Sequence, residues 1–150
     1  MGIKEQLRND LTEAIRSRNE IVSGTIRMVL TAITNEEVSG KTARELSDAE
    51  VISVLSRESK KRREAAEAFD TGNRLEMATL ERAEGEVIAK YLPTQLSEDE
   101  LHKMIVDAIA ETGASGPAGM GLVMKLLSPK IAGKADGGTV SAAVKAALAN

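Results

Sequence analysis

Residues 47–72 read SDAEVISVLSRESKKRREAAEAFDTG, with Ser47 three positions before Glu50. That pair is a capping box, in which the hydroxyl accepts a first-turn backbone N–H and the carboxylate reaches back to the N–H of the capping residue. A helix therefore starts at this serine. Val51, Leu55, Ser59, Arg62, Ala66 and Phe69 follow at helical spacing as far as Gly72, so the helix is predicted to run about 25 residues, or roughly 37 Å.

The flanking sequence supplies neighbours of the same kind. Upstream, Ile3, Leu7, Leu11, Ala14 and Ile15 form one face of a first helix, and Ile26, Val29, Leu30 and Ile33 form one face of a second. Gly40, with Ser39 and Lys41, marks the loop before the long helix. Downstream, Asn73 with Glu76 repeats the capping signal, and a fourth helix carries Leu80, Val87, Ile88 and Tyr91 until Pro93 stops it.

Residues 92–96 read as a short connector, and Ser97 with Glu100 is a further capping box. Helix five shows Leu101, Met104, Ile105, Ala108 and Ile109, the i, i+3, i+4, i+7, i+8 series. Gly113, Gly116, Pro117 and Gly119 break residues 112–121 into a loop, which leads to a short helix around 122–127 ended by Pro129 and Gly133. Asp136 is the expected N-cap of a last helix with Val140, Val144, Ala147 and Leu148. The expected fold is all-α: a four-helix bundle-like domain over residues 1–92 and a small three-helix domain over residues 93–150.

Composition supports helices. Phe69 and Tyr91 are the only aromatics, so the core is built from Leu, Ile, Val, Ala and Met, whereas a sandwich or barrel draws on β-branched and aromatic residues between regular turn signals. Cysteine is absent, which excludes disulfides, thiolate metal sites and a cysteine nucleophile. No run approaches the ~20 apolar residues of a membrane span, and the first eleven residues lack the apolar stretch of a signal peptide. The expectation is a cytoplasmic protein with no membrane association.

Most catalytic templates fail on inventory. His102 is the only histidine, so a two-histidine zinc site and a Ser-His triad with a spare histidine are out, and an exposed helical position is the reading for it. Gly116 and Gly121 have the spacing of a phosphate-binding loop, but Leu122 and Val123 stand where Lys and Ser or Thr belong; Gly133-Lys134 is followed by Ala135. Adjacent acids such as Glu36 and Glu37 point in different directions on a helix, and Glu98, Asp99 and Glu100 suit the positive end of a helix dipole. No metal or cofactor is expected, and no catalytic residue.

Charge is more informative. The chain carries a formal net charge of −3, yet residues 117–150 hold Lys125, Lys130, Lys134 and Lys145 against Asp136 alone, a local +3. The run Arg57, Lys60, Lys61, Arg62, Arg63 has acids in register, with Lys60 expected to meet Glu64 and Arg63 to meet Glu67, so it reads as a salt-bridged face. The C-terminal lysines have few local acids to answer them and are candidates for phosphate contact.

Two stretches carry a family resemblance. The first is Lys60, Arg62, Glu64, Phe69, Gly72, Arg74, Leu75, Glu81, Glu84, Glu86 and Tyr91-Leu92-Pro93; the second is Gly121, Val123, Met124, Lys125, Leu127, Lys130, Gly133 through Gly137, Val140, Ser141, Val144, Lys145 and Leu148. Together they resemble the YqeY family, whose C-terminal part is similar to the tail domain of the GatB subunit of the tRNA-dependent amidotransferase. The resemblance covers roughly residues 2–149 and implies a helical bundle joined to a smaller helical domain.

Since the GatB tail helps hold the tRNA, the resemblance implies tRNA as a partner of the C-terminal domain. Lys125, Lys130, Lys134 and Lys145 are then the candidates for its phosphates. Gly121 and Gly133 would permit close backbone approach, and Asp136 with Gly137 would shape the loop presenting Lys134. GatB's chemistry resides in a separate catalytic domain that is missing here, so carbon-nitrogen ligase activity with glutamine as amido donor is a label of GatB, not an expectation for this chain. The rival expectation is a protein-protein adaptor with no RNA role, and an enzyme of another type stands third.

Overall fold

The capping box forms as read: in the computed structural model, which describes residues 1–149, the Ser47 hydroxyl accepts the Glu50 N–H and the Glu50 carboxylate accepts the Ser47 N–H at 2.8 Å. Helix α3 (Asp48–Thr71) follows from it. Around it lie α1 (Ile3–Arg16), α2 (Glu20–Glu37) and α4 (Leu75–Ala89). Beyond residue 92 come α5 (Glu98–Thr112), a 3-10 turn (Pro117–Gly119), α6 (Met120–Ile131) and α7 (Gly137–Leu148). Among the described residues there is no strand, and the chain is all-helical.

The chain divides into two compact units, Met1–Leu92 and the remainder from Pro93 onward. Each has its own core. In the first, Leu7, Ile26, Val29, Ile33, Val51, Val54, Leu55 and Ile88 are buried together. Tyr91 closes this unit by donating from its hydroxyl to Asp10 Oδ2 at 2.5 Å, and burial together with that carboxylate pushes the Tyr91 pKa well above its ordinary value.

The ten-residue crossing from α2 to α3 is held by carboxylates. Buried Glu37 accepts both Lys4 Nζ, at 2.7 and 2.8 Å, and the Leu46 N–H at 3.2 Å. Lys4 chiefly lowers the Glu37 pKa, with burial opposing and the Leu46 N–H helping. Arg44, and then the Ser47 N–H, hold Glu50 down to about 2. Groups depressed on folding contribute stability above their unfolded pKa, near 4.5, and lose it as pH falls through the folded one. The denaturation midpoint of the first unit is therefore expected to fall between about pH 5 and pH 2. Glu50→Gln should flatten that profile, and an unchanged acid limb would refute the assignment.

In the second unit Leu101, Ile105, Ala108, Val123, Leu127, Ile131, Val140, Val144 and Leu148 form the core. Ser97 accepts the Glu100 N–H, and the αL residue Gly113 ends α5. Gly119 is obligatory in the 3-10 turn, because a Cβ there would lie 2.7 Å from Ala114 Cβ.

Three expectations are corrected. Asn73 does not cap α4: it adopts a left-handed φ of 57°, and Arg74 takes the N-cap position with no side-chain cap bond. Pro129 does not end α6, which continues to buried Ile131; anchoring that last turn in the core offsets the hydrogen bond that proline cannot make. Leu80 and Ile15, read among the apolar residues of their helices, are exposed. Among the described residues no helix is long and apolar enough to cross a membrane.

Candidate nucleic-acid interface

The apolar rows Val123-Leu127-Ile131 and Val140-Val144-Leu148 turn α6 and α7 toward the second core, and the lysines of these helices fall outside those rows. Lys125 and Lys130 lie on α6, Lys134 in the turn at 132–136 and Lys145 near the end of α7. All four are exposed, and none forms an ion pair with a carboxylate among the described residues. In contrast α5 carries Glu98, Asp99, Glu100, Asp107 and Glu111 with Lys103. Acid and base are thus segregated onto different helices of one small unit.

The turn that presents Lys134 is firmly built. Gly133 takes a φ of 74°, a left-handed conformation that glycine adopts without steric cost. Its carbonyl accepts Gln95 Nε2 at 2.7 Å, and the Lys134 carbonyl accepts the Leu96 N–H at 2.9 Å. Asp136 caps α7 by accepting the Thr139 N–H at 3.0 Å. Gln95 is a positioning residue that sequence reading missed, because its contact spans 38 positions.

The remaining glycines sit elsewhere than expected. Gly121 lies inside the first turn of α6 and Gly137 is the first residue of α7, so neither belongs to a loop. Both are exposed, and a Cβ on either would meet nothing within 4 Å. Their backbone is open to close approach.

Lys130 differs from the other three lysines. It lines a cleft of about 90 Å³ with Met104, Asp107, Ala108, Glu111 and Leu127. Two carboxylates one helical turn apart on α5 therefore face the side of α6 that carries it.

A second arrangement of charge lies in the first unit, along α3 and α4. Arg62 comes within 3.2 Å of Glu81 and 3.4 Å of Glu84, and Asp70 pairs with Arg82. Arg62 Nε and Glu81 Oε2 are buried with no hydrogen-bond partner among the described residues, so the cluster is close in charge yet imperfect in geometry. Beside it runs a groove of about 390 Å³ between the helices, with Ala66, Gly85 and Ala89 among its lining and Arg63, Glu67, Arg82 and Glu86 also present.

Most of the basic run of α3 is answered by acids. Arg57 pairs with Glu36, Lys61 with Glu58 and Lys60 with Glu64 at 3.9 Å. The expected Arg63–Glu67 pair does not form, and Glu67 instead contributes to the field at Arg82. His102 is exposed on α5, as read, and no group of three metal-binding side chains occurs among the described residues.

Comparison with known proteins finds two relatives in sequence and a family. Over 116 residues the chain is 28% identical to "Altered inheritance of mitochondria protein 41, mitochondrial" of Clavispora lusitaniae, covering 76% of this chain and 66% of that protein, just under two thirds of its length. It is 29% identical over 96 residues to an uncharacterized protein of Schizosaccharomyces pombe, covering 64% of this chain and 76% of the relative. The family model described as Yqey-like protein matches residues 4–148, which takes in both helical units and all four lysines. The chain belongs to the YqeY family.

Proposed function

We propose that this YqeY-family chain is a non-catalytic accessory protein that binds tRNA, or works beside a tRNA-dependent amidotransferase, through α6, the 132–136 turn and α7. The observation that carries this reading is the segregation of charge in the second unit, where four exposed lysines form no ion pair with a described carboxylate. The resemblance of the second sequence stretch to the GatB tail is what suggests tRNA as the nucleic acid. Neither aromatic lies in this unit, so the surface suits phosphates and helix shape rather than stacking on unpaired bases. Such a protein would act in the cytoplasm, while the name of the Clavispora relative places that protein in mitochondria.

The test is fluorescence anisotropy of unmodified tRNA at several salt concentrations. Three to four phosphate contacts are expected to give a slope of log K against log salt of roughly −2 to −3.6. A variant with all four lysines replaced by alanine should lose most of it. No binding at low salt would remove the reading.

A protein-protein adaptor is the second reading, favoured by exposed Leu75, Met77 and Leu80 within six positions of α4, at 60%, 44% and 45% exposure. A partner captured after nuclease treatment, and lost on Leu80→Ser, would support it over RNA.

A further inference from the structure

We infer that Asp107 and Glu111 of α5 withhold Lys130 from the phosphates, so that α5 sets one edge of the RNA-binding surface and the contact rests on Lys125, Lys134 and Lys145. This rests on the tRNA reading for its meaning, although its physical core is independent of RNA. Lys130 shares the cleft of about 90 Å³ with both carboxylates, and Lys125, Lys134 and Lys145 line none of the clefts described.

Asp107 and Glu111 are four positions apart and so project from the same side of α5. Two carboxylates then share the cleft of one lysine without forming an ion pair with it. A phosphate drawn to Lys130 must also approach both carboxylates, and the net charge it meets there is repulsive. Around Lys125, Lys134 and Lys145 the acid nearest in sequence is Asp136, whose carboxylate caps α7 by accepting the Thr139 N–H and hydroxyl. The acidic helix thus limits where a polyanion can lie, and a ligand pressed against Lys130 would be disfavoured relative to one tracking α6, the 132–136 turn and α7.

Lysine footprinting with an N-hydroxysuccinimide ester, read by peptide mass spectrometry, tests this on the full chain. Without RNA, Lys130 should label roughly two- to fivefold more slowly than Lys125, Lys134 and Lys145, the factor expected of an exposed ion interaction. Asp107→Asn/Glu111→Gln should remove the difference. With tRNA bound, Lys125, Lys134 and Lys145 should be protected and Lys130 should not.

In the salt titration, Lys130→Ala should leave the wild-type slope unchanged. In the Asp107→Asn/Glu111→Gln background, tRNA should bind more tightly and Lys130→Ala should lower the slope by about 0.7 to 0.9. Equal labelling of Lys130 in both backgrounds overturns the inference whether or not RNA binds, and so does protection of Lys130 in wild type. Absence of protection at every lysine, with slow labelling of Lys130 retained, overturns the tRNA reading and leaves the local restraint standing.

Discussion

Ile105→Ala is expected to lower the stability of the second unit by about 2 to 5 kcal/mol, the range for deleting a buried isoleucine side chain to alanine. Ile105 is 1% exposed and lies among Leu101, Ala108, Val123, Leu127 and Val140. A unit of on the order of 60 residues has only roughly 3 to 9 kcal/mol to lose. The substitution should therefore leave this unit marginal or unfolded. Since the first unit has a separate core, its unfolding should persist, and far-UV circular dichroism in urea should show the transition of the second unit moved to lower urea or lost. An unchanged midpoint would mean that this face of α5 is not buried in solution.

The second large effect is expected at Arg62. Its side chain is 20% exposed, with Glu81 at 16% and Glu84 at 23%. Removing the guanidinium leaves two carboxylates with little water and no cation between them. Breaking a fully buried pair costs about 3 to 5 kcal/mol, and partial exposure screens this site, so Arg62→Ala is expected to cost about 2 to 4 kcal/mol. Replacing all three residues by leucine should recover stability to within about 1 kcal/mol of the parent, because apolar substitutes of a buried ionic cluster are often neutral or better. If the single and triple variants unfold at the parent's urea midpoint, Arg62 is a solvated charge and the cluster has no structural weight.

The two variants mark what a linear reading reaches. Ile105 was legible because an amphipathic helix declares its buried row by spacing, and Ser47, Ser97 and Asp136 were legible because a cap binds residues three positions away. The Arg62 cluster spans about twenty positions, and its register depends on how α3 and α4 meet. Where local rules failed, a nonlocal demand or tight turn geometry prevailed. Asn73 was needed in the left-handed turn rather than as a cap, and Pro129 was carried into α6 by the burial of Ile131. Arg63 and Glu67 have the spacing of a helical pair yet do not meet.

The candidate interface divides in the same way. The excess of lysine after residue 117 was visible in the chain, and the structure leaves all four lysines exposed. Their surroundings were not visible: Gln95 reaches Gly133 across 38 positions, and Asp107 and Glu111 reach the side of Lys130 from another helix. Acidic residues distant in sequence thus qualify a charge count that looked uniform.

The bond between Tyr91 and Asp10 also gives the protein an optical label. Tyr91 is the single tyrosine and tryptophan is absent, so tyrosine emission comes from one ring held against a carboxylate. Unfolding the first unit frees that ring from its quencher and brightens it, while the second unit, with no tyrosine or tryptophan, stays dark throughout. Fluorescence therefore follows one half of the molecule and backbone ellipticity follows both, and the difference between the two traces isolates the half that carries Lys125, Lys130, Lys134 and Lys145.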